Sequence, residues 1–355
     1  MFNNKNKKIN ILLSTSNEYC GPNCVVNDIW KELDPDLKLI YLFKRDEKRY
    51  FGENLKPLNF IKFVFSNRSK INLIHSHLFW ADLFSLICKL ILRGRFRWIS
   101  TVHMSLLEDQ VDYFGKFYGW IRASIWLFIL SFSDEVVVLN RKMLNEYSKK
   151  FNNVSMIGNG INYSKFRKES KNKNNSLTKF KDVINVAMIT RFTKNKGIEG
   201  VVKSLARLTR FNFKFILIGY GEKKYEKQLL KSCRENLSKK RFLFLGRQTN
   251  IANLLSKVDI FVVNSDYEGF PINLLEAMSI SKIIVAPKHE PYSSILKSSD
   301  FICDFIKKDN LSLDNALTKA FDAVLSGKKK VNYEMEIFSN KIMAKKYKKL
   351  YKIHV

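Results

Sequence analysis

The sequence predicts an α/β chain of two domains, each built on a parallel sheet. Three observations carry this expectation. Short apolar runs alternate with longer stretches of helical spacing, a polar basic segment interrupts the alternation once, and 355 residues suffice for two domains.

In the first half, NILLST (10–15), LKLIYLF (37–43), INLIHSH (71–77), RWISTVH (97–103), EVVVLN (135–140) and VSMIGNG (154–160) read as strands. They are continuously apolar, as parallel strands covered on both faces tend to be. CVVNDIWKEL and LFWADLFSLICKLIL, lying between them, have helical length and spacing. These elements make a first domain over 1–161. From Asn162 the chain reads NYSKFRKESKNKNNSLTKFK, polar and basic, so 162–182 is expected to be a linker. The alternation then restarts with VINVAMIT, KFILIG, RFLFLG, VDIFVVN and KIIVAP, giving a second α/β domain over 183–335. Residues 336–355 are expected to form a basic helix that packs back on the first domain. YFGKFYGWIRASIWLFILSF (113–132) approaches membrane-spanning length, but Lys116 and Arg122 interrupt it and a strand pattern follows. It reads as a buried or membrane-surface helix, with Tyr113, Phe117, Trp120 and Trp126 suited to a headgroup boundary.

Composition narrows the class. With 46% hydrophobic residues and only 14 Gly and 6 Pro, the chain is neither disordered nor collagen-like. The five cysteines form no CxxC pair and read as reduced thiols. The apolar run ILLS near the N-terminus is too short for a signal-peptide core, so a cytoplasmic location is expected. A net charge of +29 suits nucleic acid, anionic lipid or phosphorylated small molecules, or reflects lysine-rich drift onto solvated faces. The excess concentrates in 165–181 and 328–355. No helix-turn-helix, zinc spacing or aromatic RNA-binding string accompanies it, so no specific nucleic acid is expected. Neither a DxD-like motif nor a His/Cys cluster of ligand spacing occurs, so no metal is expected.

In open parallel sheets, ligands bind where strand ends lead into helix N-termini. After VDIFVVNS comes DYEGFPINLLEAM, with Glu268 in the loop, Gly269 at a turn, and Pro271 where a helix would start. Amides near Phe270, Ile272 and Asn273 would then point at a ligand, and Glu276 lies more than one turn inside the helix. ITRFTKNKG places Arg191 and Lys196 on a strand-to-helix turn, where two cations suit a diphosphate. Gly219 and Gly221 in LIGYGEKKYEKQL and Gly246 in FLGRQTN permit close backbone approach, with Arg247 beside the last. Gly21 follows the first strand, and Pro22 beside it lacks an amide proton. His103 ends the strand in TVHM, and His75 and His77 end its neighbour, where a packed role for His77 is the simpler reading.

EGFPINLLEAM resembles the E-x7-E motif of retaining GT-B glycosyltransferases, specifically glycosyltransferase family 4. The resemblance covers nearly the full chain and is strongest over 184–286. It implies a GT-B fold: two Rossmann-like, doubly wound parallel-sheet domains facing across a cleft, the first on the acceptor side, the second binding a nucleotide sugar. It assigns Glu268 to the donor sugar's hydroxyls, Glu276 to the ribose, and Arg191 and Lys196 to the diphosphate. His103 falls to the donor sugar; Gly246 and Arg247 lie near the nucleobase; Gly21, Gly219, Gly269, Phe270, Pro271, Ile272 and Asn273 line the donor. IGNGIN (157–162) resembles the signature that closes the first domain. Thr190 replaces the family glycine before the arginine, and Gly21-Pro22 replaces a glycine pair. SISKIIVAPKHEPYSSIL stands where the family shows Gly-Gly-x-x-E, and Glu290 has no match to that glutamate.

The implied reaction is front-face transfer from a nucleotide sugar, a UDP-sugar rather than a GDP-sugar, with the departing phosphate as base. The donor is a substrate, and no cofactor is implied. The implied acceptor is a surface glycan or a lipid-linked one, met at an anionic membrane to which the protein binds peripherally. Competing expectations are a non-enzymatic binder of nucleic acid or anionic membrane, or a GT-B-fold epimerase or phosphorylase.

Overall fold

The computed structural model describes residues 8–18, 20–44, 52–171, 183–297, 299–328 and 330–352. It comprises two units: Met1–Ile161 with Gly269–Pro271 and Phe338–Val355, and Asn162–Glu268 with Ile272–Ile337.

The first unit holds β1 (Ile9–Ser16), β2 (Lys38–Phe43), β3 (Glu53–Asn54), β4 (Ile71–His77), β5 (Arg97–Thr101), β6 (Glu135–Val138) and β7 (Val154–Met156). All pair in parallel, in the order β3-β2-β1-β4-β5-β6-β7. Ile11, Leu12 and Leu13 of β1 are all fully buried, which requires cover on both faces and explains the unbroken apolar run. Strand order reverses between β1 and β4, so right-handed crossovers place helices on opposite faces. The edge strand β3 has no apolar signature, being two exposed residues long.

The second unit repeats the plan with β8 (Ile184–Phe192), β9 (Phe213–Gly221), β10 (Phe242–Gly246), β11 (Ile260–Val262), β12 (Ile283–Pro287) and β13 (Cys303–Phe305). The parallel order is β10-β9-β8-β11-β12-β13, reversing between β8 and β11. Its core runs from Val186 and Phe215 in the sheet to Leu205, Leu317 and Phe321 on the covering helices. Both sheets are Rossmann-like, and together they make the GT-B fold.

Three local expectations are revised. Where 162–182 reads as a linker, Tyr163–Ser170 is a helix whose N-cap Asn162 accepts from the Lys165 amide; 172–182 lie outside the described residues. The tail resolves into a 3-10 turn, Met335–Phe338, and a helix, Asn340–Tyr351, begun by the Ser339 cap. That helix packs on the helix Gly21–Leu33. The aromatic segment is two helices, Leu106–Phe114 and Lys116–Leu130, broken at Gly115 with φ 78°. Phe117 is 69% exposed and Trp120 59%, but Trp126 is buried in an apolar cluster, where its indole donates to Asp82 Oδ2 at 2.7 Å. Trp126 therefore leaves the proposed headgroup set. Among the described residues no helix is long and apolar enough to cross a membrane.

Candidate active site

In the second unit the site is built where the carboxyl ends of β8, β11 and β13 come together. β8 runs into a 3-10 turn, Lys194–Lys196, then Gly197 in the left-handed region, then the helix Ile198–Arg207. This turn buries Lys196 to 9% exposure and directs its Nζ at Glu268 Oε1, 2.5 Å away. Ser265 Oγ donates to the same oxygen at 2.9 Å. A largely desolvated ion pair of this kind is costly to break from one side, because the abandoned charge stays in a low-dielectric setting. The backbone reinforces it: the Asp266 amide donates to the Asn195 carbonyl at 2.7 Å, and Asn264 Nδ2 donates to the Gly197 carbonyl at 2.8 Å. Lys307, just beyond β13, donates to Asn264 Oδ1 at 2.7 Å and lies 3.3 Å from Asp266 Oδ1; burial lowers its pKa. Asn264, Asp266 and Lys307 carry no motif, and the available signal is their place just after strands.

Arg191 is exposed on the penultimate position of β8, in register with Tyr220 of β9, and the Arg247 guanidinium lies 4.8 Å from the Tyr220 ring centroid. Those three side chains belong to adjacent strand ends. Gly219 is at φ +141°, and a β-carbon there would fall 1.8 Å from the Thr190 carbonyl oxygen. The space its missing side chain leaves is thus taken by the neighbouring strand, a packing role that stands beside any role toward a ligand. Gly246, at φ +64°, turns the chain out of β10 into Arg247. The helix Ile272–Ser279 begins one residue after the buried Pro271. Asn273 Nδ2 donates to the Ile189 carbonyl at 2.6 Å, tying the helix start to β8, and Ile272 and Glu276 are half-buried. Arg167 Nε donates to the Ser279 carbonyl at 2.5 Å, capping the end of the same helix.

The remaining expected residues belong to the first unit. Asn140 Nδ2 donates to the Gly269 carbonyl at 2.6 Å, and Asn159 Nδ2 to the Phe270 carbonyl at 2.9 Å. The Phe270 ring lies against Gly158 and 6.0 Å from the Phe338 ring. His103 is half-buried, and its Nε2 lies 2.9 Å from His77 Nδ1. His75 bridges Tyr351 at 2.5 Å and Thr101 at 2.8 Å. Burial lowers the pKa of His75 and His103 to about 3 and moves His77 the same way, so all three are neutral at pH 7. Gly21 is the exposed first residue of its helix. The loop carrying it is fixed by Asn23, which is fully buried: it accepts from Ser14 Oγ at 2.7 Å and donates to the carbonyls of Ser16 and Glu18 at 2.7 and 2.6 Å. Asn23 has no sequence signal beyond its place after Gly21. Among the described residues no group of three or more His, Cys, Asp or Glu side chains is arranged to hold a metal.

Residues 167–336 match the family described as glycosyl transferases group 1. The chain is 25% identical over 348 residues to the O-antigen biosynthesis glycosyltransferase WclY of Escherichia coli, covering 92% of this chain and 96% of that protein. It is 26% identical over 250 residues to the Campylobacter jejuni N,N'-diacetylbacillosaminyl-diphospho-undecaprenol alpha-1,3-N-acetylgalactosaminyltransferase, covering 64% of this chain and 62% of that one. Among solved structures, Anabaena Alr3699/HepE in complex with UDP and glucose superposes with a TM-score of 0.78 at 16% identity, covering 98% of this chain and 100% of that chain. Fold and matches together define a glycosyltransferase enzyme. The chain is thus similar to the group 1 glycosyl transferases over residues 167–336 and has the GT-B fold.

Proposed function

We propose that the protein is a retaining glycosyltransferase that moves a sugar from a UDP-sugar to a hydroxyl of a surface-polysaccharide precursor, lipid-linked at the membrane. The first unit takes the acceptor and the second the donor. The observation that carries this reading is the Lys196–Glu268 pair, which brings residues 72 apart in sequence to 2.5 Å at the end of a parallel sheet. Glu268 orients Lys196, whose ammonium with the Arg191 guanidinium stabilises the charge that grows on the diphosphate as the glycosidic bond breaks. With those two cations carrying the leaving group, a divalent metal has no required place. Glu276 takes the ribose, Arg247 and Gly246 the base, and Glu268 and His103 the transferred sugar.

The names of the relatives support polysaccharide assembly, since one is named for O-antigen biosynthesis and another for a diphospho-undecaprenol substrate. Membrane docking is supported by the exposed Tyr113, Phe117, Trp120 and Phe128. The test is a panel of UDP- and GDP-sugars screened for thermal stabilisation, followed by transfer to a polyprenyl-diphosphate sugar. NMR of the product gives the anomeric configuration. Inversion would overturn the retaining mechanism, and stabilisation by GDP-sugars alone would overturn the donor.

A further inference from the structure

Among the buried titratable groups that the mechanism leaves unused, His77 stands next to one that it uses. His77, at the end of β4, is fully buried and lies beside His75 with ring centroids 4.2 Å apart. Its Nδ1 is 2.9 Å from Nε2 of His103, and its other nitrogen, Nε2, is buried with no hydrogen-bonding partner among the described residues.

Two neutral imidazoles joined by one hydrogen bond allow two proton placements. In the first, His103 Nε2–H donates to a bare His77 Nδ1, so His77 must carry its own proton on Nε2. That buries an N–H with nothing to receive it. In the second, His77 Nδ1–H donates to a bare His103 Nε2, and His77 Nε2 keeps only a lone pair. Orphaned buried donors are rarer and more costly than under-used acceptors. The second placement wins.

We infer that His77 is a positioning residue, which donates from Nδ1 to His103 Nε2 and so holds His103 with its proton on Nδ1. His103 then offers its ligand an N–H donor, suited to a sugar hydroxyl or phosphate oxygen, rather than a lone pair. The ligand-facing half of this statement rests on the reading that His103 meets the donor sugar; the tautomer does not. The imidazole has no competing route to the other form while Nε2 of His77 stays buried and unpaired. His77 thereby acts on the reaction without touching substrate.

Two-bond proton–nitrogen spectra of the full chain labelled with 15N-histidine separate protonated from bare ring nitrogens. Spectra of His103→Phe and His77→Phe assign the signals. The expected pattern is His103 protonated at Nδ1 and His77 at Nδ1. His77→Asn retains a donor in the δ position and should keep the His103 tautomer and the turnover. His77→Phe should leave His103 exchanging between tautomers and lower kcat roughly tenfold with KM little changed, as loss of an orienting partner does. His103 protonated at Nε2 in the wild type would overturn the inference, as would a His77→Phe variant with an unaltered His103 tautomer. Wild-type turnover in His103→Phe would instead overturn the donor-sugar reading of His103, and the spectra register that failure separately.

Discussion

Gly269 lies so close to the His103 backbone that a β-carbon on it would come within 1.8 Å of the His103 carbonyl oxygen. Neither partner is a flexible side-chain end, so no small rotation relieves the contact. Gly269→Ala should destabilise the protein by about 3 kcal/mol, at the upper end for overpacking. It should also depress transfer, because Gly269 and the His103 carbonyl must move apart. Denaturant titration and a transfer assay on one preparation check both. An alanine variant as stable as the wild type would show that this approach is not required.

Arg191→Ala and Lys196→Ala should each lower turnover by about two orders of magnitude, as lost transition-state electrostatics do. They should differ in stability. Arg191 is exposed, whereas removing Lys196 leaves the Glu268 carboxylate desolvated and held by Ser265. Lys196→Ala should therefore also lower the melting temperature, and Arg191→Ala should not.

The two glutamates separate by ligand. Glu268→Gln should bind UDP as well as the wild type or more tightly, since the change removes the anion that competes for Lys196. Its transfer rate should fall. Glu276→Gln should weaken UDP itself. Calorimetry with UDP alone and initial rates with the full donor distinguish these outcomes.

Stability should decline on acidification. The pKa values of His75 and His103 fall from 6.5 to about 3 in the native state, mainly by burial, and that of His77 moves the same way. Between pH 6.5 and 3 the unfolded chain binds protons at His75 and His103 that the native chain does not, so stability falls as the pH falls, and His77 acts in the same direction. Asp82 opposes this: burial raises its pKa from 3.8 to about 6, so from pH 6 to 3.8 the native chain binds the extra proton. His75 and His103 span a wider pH range than Asp82 and outweigh it. Unfolding free energies from pH 7.5 to 4.5 should decrease, and His75→Gln should flatten the slope.

The protein should adhere to anionic liposomes at low salt and detach at high salt. Trp120→Ala with Phe117→Ala should abolish the adhesion without affecting the melting temperature, as both side chains are exposed. Trp126→Ala should instead unfold the region, since it strips a donor from the buried Asp82. Flotation on neutral and anionic vesicles measures the first effect, and circular dichroism the second.

The sheets were legible because strands buried on both faces write themselves as unbroken apolar runs, of which β8 and β12 are examples. The turn carrying Lys196 and the loop carrying Glu268 were legible because their residue types recur at fixed spacing. The edge strands β3 and β13 were not, having two and three residues and no run to show. Asn23 and Lys307 were also invisible. Lys307 binds a side chain 43 positions away, and Asn23 binds backbone and a hydroxyl five to nine positions before it, where the strand runs out into a loop with no regular pattern. The break at Gly115 was read over because flanking aromatic residues continue on both sides of it.

The helix Asn340–Tyr351 supplies Met343, Tyr347 and Tyr351 to the interior of the first unit, and Tyr351 closes on His75 of β4. The first sheet is therefore finished with residues synthesised after the whole of the second. On the ribosome, the second unit's sheet emerges complete while the first still lacks one of its covering helices. Folding from the N-terminus onward, the usual order for a multidomain chain, is thus blocked from completion here. Until translation passes residue 351, the first half persists with His75 lacking its Tyr351 partner.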